Sequence, residues 1–183
     1  MLWRNTVQRE NGSEPIGFDP QVQQIQAGDS VFWFNQDTNT EHQPYPSGGL
    51  TTLWFAAPIP PRATSDQVRF ANAGTTAYAC ALHDDESGTI DVAAIVQIGP
   101  TFDGGVGFVP QALALTKGQS VVWNNCDEKP HRPMPKDGPA DAWLQQDIEP
   151  GDTSPPVTFS EVAPLIPYVC ALHSGETGTI TVT

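Results

Sequence analysis

Four histidines and three cysteines are the residues of this 183-residue chain best suited to chemistry, and their spacing is patterned. Cys80-Ala81-Leu82-His83 and Cys170-Ala171-Leu172-His173 share the spacing Cys-x-x-His, and a further histidine precedes each pair, His42 in one case and His131 in the other. No histidine is left over, and only Cys126 lies outside the pattern. Two imidazoles and one thiolate form the trigonal donor set of an electron-transfer copper, because the soft thiolate suits Cu(I) while imidazole serves both oxidation states. Zinc accepts the same donors. A single Cys-x-x-His pair arises by chance, and lone histidines mostly satisfy hydrogen bonds. An intact triplet present twice is a far stronger signal for metal. A cysteine and a histidine three residues apart can be presented by one loop at a strand end, whereas the earlier histidine must come from a distant loop.

The segments that would position these residues are duplicated as well. Gly28-Asp29-Ser30-Val31-Phe32-Trp33 matches Gly118-Gln119-Ser120-Val121-Val122-Trp123, and Tyr78 to His83 matches Tyr168 to His173, both at an interval of 90 residues. Asn35 and Asp37 match Asn125 and Asp127, Phe18 and Pro20 match Phe108 and Pro110, and Gly88-Thr89-Ile90 matches Gly178-Thr179-Ile180 at that same interval. Mid-unit the interval is 89, pairing His42 with His131, Trp54 with Trp143 and Phe70 with Phe159. A fixed period of this length marks tandem structural units. The boundary is expected near Ala93-Ala94, giving units 1–93 and 94–183, each of ordinary domain size.

Val31-Phe32-Trp33-Phe34 and Val121-Val122-Trp123 are short β-rich runs after a glycine turn. Thr179-Ile180-Thr181-Val182-Thr183 alternates as a closing strand, and Thr89-Ile90-Asp91-Val92 is its twin. Ile95-Val96-Gln97-Ile98 is expected to open the second unit as Thr6-Val7-Gln8 opens the first. No stretch keeps helical periodicity over three turns. Several short strands per unit, punctuated by 16 glycines and 18 prolines, predict an all-β fold of sandwich or barrel type. The net charge of −13 repels nucleic acid and anionic membranes and favours a partner that is basic at its docking face. No run of apolar residues is long enough to span a membrane as a helix, and Met1-Leu2-Trp3-Arg4-Asn5 does not read as a secretory signal.

The run from Gly28 to Asp37, then His42, then Tyr78-Ala79-Cys80-Ala81-Leu82-His83, then Gly88-Thr89-Ile90-Asp91-Val92 resembles the plastocyanin and amicyanin group of cupredoxins. Gly118 to Val182 resembles it again. The resemblance covers nearly the whole chain and implies two tandem cupredoxin Greek-key barrels. It implies one type 1 copper in each, two per chain, held by His42, Cys80 and His83 and by His131, Cys170 and His173. It also implies electron exchange with a redox protein and a periplasmic or extracellular setting. One departure stands out. The position that carries an axial methionine in amicyanin-like members is Glu86 in the first unit and Glu176 in the second. Two readings are open: an axial carboxylate, which favours Cu(II) and lowers the potential, or a glutamate facing solvent.

An electron carrier is therefore the leading expectation. A small copper oxidoreductase acting on a molecule such as nitric oxide, and a copper storage or delivery protein, are the alternatives. Copper clusters that need additional histidines are disfavoured, since all four are assigned. Cys126 is expected to be a free, partly buried thiol, with a redox role as the sharper alternative. The duplicated tryptophans are expected in the cores. Asp84, Asp85 and Glu86 follow His83, whereas Lys129, Arg132 and Lys136 surround His131, so the first site is expected to have the lower potential.

Overall fold

The computed structural model describes residues 1–9, 17–47, 53–102 and 104–183. Every regular element among them is a β-strand. The chain divides into two compact units, Met1–Val92 and Ala93–Thr183.

In the first unit, β1 (Leu2–Gln8) runs parallel to β4 (Ser30–Asn35) and antiparallel to β2 (Gly17–Asp19). The short β6 (Val68–Arg69) closes the other side of β4. The second sheet sets β7 (Gly74–Cys80) between β5 (Pro44–Pro46) and the first half of β8 (Ser87–Pro100), and β3 (Val22–Gln26) pairs with β8. Period-2 alternation sends Val7, Val31 and Trp33 from one sheet and Tyr78, Ile90 and Val92 from the other into a shared core. Trp54 stacks on Trp33 at 4.9 Å between ring centroids, and Phe55 and Tyr78 meet it edge-on. Gly28 enters the turn before β4 at φ +95°, a conformation that a side chain disfavours.

The second unit repeats this pairing. The Ala94–Ile98 section of β8 runs parallel to β11 (Ser120–Asn125), with β9 (Val106–Val109) antiparallel to β8 and β13 (Val157–Thr158) beside β11. The other sheet is β10 (Ala112–Leu115), β15 (Thr177–Val182), β14 (Ala163–Cys170) and β12 (Pro133–Pro135) in that order. Ile98, Val121, Trp123, Tyr168, Ile180 and Val182 are buried, and Trp143 stacks on Trp123 at 5.5 Å.

Two details differ from the sequence reading. Thr89–Val92 and Ile95–Ile98 are not separate strands but parts of β8, because Ala93 and Ala94 between them supply no turn residue and are buried. The register also pairs the units differently. Val7 stands opposite Asn35 and Phe18, while Ile98 stands opposite Asn125 and Phe108. Val7 therefore corresponds to Ile98 rather than to Val96, a slide of two residues that the short, weakly patterned first strand did not reveal.

Candidate metal centre

Each Cys-x-x-His segment lies in the turn that joins the last two long strands of its unit. Cys80 ends β7, its N–H donates to Glu86 O at 3.0 Å, and Glu86 N–H donates to His83 O at 3.2 Å. These bonds fold residues 80–86 so that a thiol, an imidazole and a carboxylate converge from one loop. Cys170 N–H donates to Glu176 O at 3.1 Å in the same way.

The early histidine is brought in by a buried asparagine. Asn35 Nδ2 donates to Thr40 O at 2.8 Å and to Ile59 O at 2.9 Å, while Asp37 N–H donates to Asn35 Oδ1 at 2.9 Å. His42 then makes a two-way backbone bridge with Ile59. Asn125 braces Lys129 O at 2.7 Å and Ile148 O at 2.8 Å, receives Asp127 N–H at 2.9 Å, and His131 bridges Ile148.

His42, Cys80, His83 and Glu86 form one group, and His131, Cys170, His173 and Glu176 the other, with each group's potential ligand atoms within 4.8 Å of one another. In the first, Cys80 Sγ lies 3.9 Å from His42 Nδ1 and 3.4 Å from His83 Nδ1, and Glu86 Oε2 lies 2.8 Å from His42 Nδ1 and 3.3 Å from His83 Nδ1. In the second, Cys170 Sγ lies 3.7 Å from His131 Nδ1 and 3.6 Å from His173 Nδ1, and Glu176 Oε2 lies 2.9 Å from His131 Nδ1. Donors about 2.0–2.3 Å from a shared metal stand roughly 3–4 Å apart, so these separations suit a bound ion. A thiolate with two imidazoles suits copper in both oxidation states. Neither glutamate faces solvent, since Glu86 and Glu176 are both buried.

Two functional residues stand out that the sequence marked only as repeats. His42 Nε2 lies 2.8 Å from Asp37 Oδ2, and His131 Nε2 lies 3.1 Å from Asp127 Oδ2. A carboxylate on one ring nitrogen fixes the ring and leaves the other nitrogen, Nδ1, to face the cluster. Their duplication at 90 residues was the available signal. The backbone N–H of Gln43 also donates to Cys80 Sγ at 3.4 Å, which helps fix the sulfur in place.

Burial lowers the affinity of His42 for a proton, but its contacts with Cys80, Glu86 and Asp37 outweigh this and raise its pKa to about 10 in the metal-free protein. Burial pushes the Glu86 carboxyl up, yet His42 and Arg9 together hold it below the ordinary carboxylate range. The His131 ring beside Asp127 lowers that carboxyl, and burial raises the Cys170 thiol.

Arg9, far from the first cluster in sequence, reaches its carboxylates in the fold. Its Nη1 donates to Asp85 Oδ1 at 2.6 Å and to Glu86 Oε1 at 3.1 Å. In the second unit Arg132 Nε donates to Asp147 Oδ1 at 2.6 Å. Cys126, expected to be partly buried, is an exposed free thiol, because it follows the last residue of β11 where the chain leaves the sheet.

No protein-family model matches the chain, and no curated protein matches it. Among solved structures, a reduced Cu(I) form of an amicyanin variant is 18% identical, with 49% of this chain and 79% of that chain covered at a TM-score of 0.41. The "Novel Purple Cupredoxin from Nitrosopumilus maritimus" is 24% identical, with 49% of this chain and 99% of that one covered at a TM-score of 0.43. Amicyanin from Paracoccus versutus (Thiobacillus versutus) is 22% identical, with 50% of this chain and 81% of that one covered at a TM-score of 0.41.

Proposed function

We propose that the chain is a copper electron-transfer protein built from two cupredoxin domains, 1–93 and 94–183, each holding one mononuclear copper. The observation that carries this reading is the convergence of Cys, two His and Glu donors in one compact group, present twice. His42, Cys80 and His83, with Glu86 as axial carboxylate, would hold one ion, and His131, Cys170, His173 and Glu176 the other. Bound copper supplies a one-electron couple. The chain's own residues keep the donor positions nearly constant between oxidation states. Asn35 and Asn125 brace the early loops, Asp37 and Asp127 fix the buried rings, and the Cys80 and Cys170 turns are tied to their strands.

His83 and His173 are the cluster members that reach the surface, with side chains 19% and 28% exposed, beside the exposed Leu82 and Leu172. Electrons would enter and leave there, from a redox protein whose docking face is basic. A periplasmic or extracellular setting accords with this role. Among the described residues, no helix is long and apolar enough to cross a membrane. Copper titration followed by optical and electron-spin-resonance spectra tests the proposal. Thiolate-to-copper charge-transfer bands are expected, and a colourless protein that prefers zinc would overturn it.

One observation favours the oxidoreductase alternative at the second site. A cavity of about 650 Å³, lined by Pro100, Thr101, Phe108, Gln111, Gly175 and Glu176, opens at the loop that carries that cluster's glutamate. A small molecule admitted there should perturb the second site's spectrum and leave the first unchanged, as titration with nitric oxide would show.

A further inference from the structure

The two clusters share their donors and their asparagine and aspartate supports, but one partner has no counterpart among the described residues. Arg9 follows β1, and both its backbone and its side chain point at the first cluster's carboxylates. The Arg9 N–H donates to Asp37 Oδ1 at 3.0 Å and Oδ2 at 2.8 Å, and Asp37 is the carboxylate that fixes His42 Nε2. The Arg9 guanidinium donates through Nη1 to Glu86 Oε1 at 3.1 Å, leaving Glu86 Oε2 turned to His42 Nδ1 at 2.8 Å. Asp85 anchors the guanidinium from outside through both of its oxygens, at 2.6 and 3.1 Å. One residue thus holds the two carboxylates on opposite sides of the same imidazole.

The strand register identifies what stands in its place in the second unit. Val7 corresponds to Ile98 and Gln8 to Gly99, because Gln8 opposes Gly17 as Gly99 opposes Gly107. Arg9 therefore corresponds to Pro100, which has neither a backbone N–H nor a charged side chain. Asp127 can receive no such N–H from Pro100, and Glu176 no such guanidinium. The burial agrees. The Asp37 side chain is 0% exposed and that of Asp127 18%, and the Glu86 side chain is 0% exposed and that of Glu176 9%.

We infer that Arg9 is a positioning residue peculiar to the first unit: it fixes Asp37 and Glu86 about His42, and its positive charge raises the reduction potential of a copper held there. Two effects act with the same sign. A cation near the metal disfavours Cu(II) relative to Cu(I). A guanidinium that shares the Glu86 carboxylate also weakens its donation to the metal, and Cu(II) is the state that gains more from a hard anionic donor. The second site, lacking both effects, is set by its own carboxylate and surface charges. The inference rests on copper binding at the first cluster.

The test uses the full chain with the second site silenced by Cys170→Ala, and compares Arg9 with Arg9→Met and Arg9→Lys. At a fixed applied potential near the midpoint, Arg9→Met should shift the Cu(I)/Cu(II) ratio three- to tenfold toward Cu(II), about 30–60 mV for a one-electron couple. The thiolate charge-transfer band should move as Glu86 is released. Arg9→Lys, which keeps the charge but loses the forked geometry, should lie between the two, and it keeps the test decisive if Arg9→Met does not fold. In a Cys80→Ala background the same substitutions should leave the second site's potential and spectrum unchanged. An unchanged or higher first-site potential in copper-loaded Arg9→Met and Arg9→Lys, or equal shifts at both sites, would overturn the inference. Absence of a thiolate–copper band in the Cys170→Ala protein with Arg9 intact would instead overturn the copper reading, and this inference with it.

Discussion

At the scale of single residues, each cluster depends on a buried glutamate that reaches its early histidine. Glu86 sits between two imidazoles and a guanidinium, which hold it charged against the cost of burial. If Glu86 and Glu176 are axial donors, Glu86→Met and Glu176→Met should each raise the potential of their own site, with at least a tenfold change in the Cu(I)/Cu(II) ratio, roughly 59 mV. The spectrum of that site should move toward blue. Spectroelectrochemistry of each variant, with the other site silenced, provides the check, and no movement would place the carboxylate outside the copper's reach. Asp37 acts one step further out, through His42 Nε2. Asp37→Ala should cost the first site about 10–100-fold in copper affinity, as loss of a carboxylate behind a ligating imidazole commonly does. Competition with a copper chelator would read this out, and an unchanged affinity would make the aspartate merely structural.

At the scale of elements, the clusters depend on how closely the two strands that flank each Cys-x-x-His turn approach within their sheet. Gly88 stands opposite Tyr78 in the β7–β8 pair, and a Cβ there would lie 2.5 Å from the Tyr78 ring; at Gly178, opposite Tyr168, it would lie 2.4 Å from that ring. Tyr78 is fully buried two residues from Cys80 on the same face of β7. Gly88→Ala must therefore push the tyrosine off its site, with an expected loss of about 2 kcal/mol of stability, as overpacked cores show. Chemical denaturation measures this, and a loss below about 0.5 kcal/mol would mean the strand pair yields more easily than the packing implies. The glycine was visible in the sequence as a repeated position, but its reason was not, because the ring above it comes from another strand.

The same distinction explains what else could be read in advance. The candidate donor types, the 90-residue period and the all-β class were legible because they are matters of residue identity and local pattern. Asn35 and Asp37 were visible as repeats, yet their work, bracing a loop and fixing a ring, exists only once the chain folds back on itself. Arg9 was invisible, since its partners Asp85 and Glu86 lie 76 and 77 residues away, and its counterpart is found only from the pairing register. The exposure of Cys126 was not legible, because position in a sequence does not reveal where a strand emerges from its sheet.

At the scale of the whole molecule, charge separates the two sites less than the loop composition suggests. Arg9 offsets Asp85 and Glu86 in the first unit, and Asp147 offsets Arg132 in the second. The first site is expected to keep the lower potential, by a smaller margin than its acidic loop alone implies, and redox titration of Cys80→Ala and Cys170→Ala variants would give both values. The net charge of −13 supplies a longer-ranged field for a basic partner, screened over about 8–10 Å at ordinary salt. The central claim, however, is that each half of the chain binds its own copper. The most direct test is metal analysis of the protein at copper saturation together with the optical spectra of the Cys80→Ala and Cys170→Ala variants. Two coppers per chain are expected, falling to one in each variant, with a thiolate charge-transfer band surviving in both. One copper per chain at saturation, with either substitution spectroscopically silent, would contradict it.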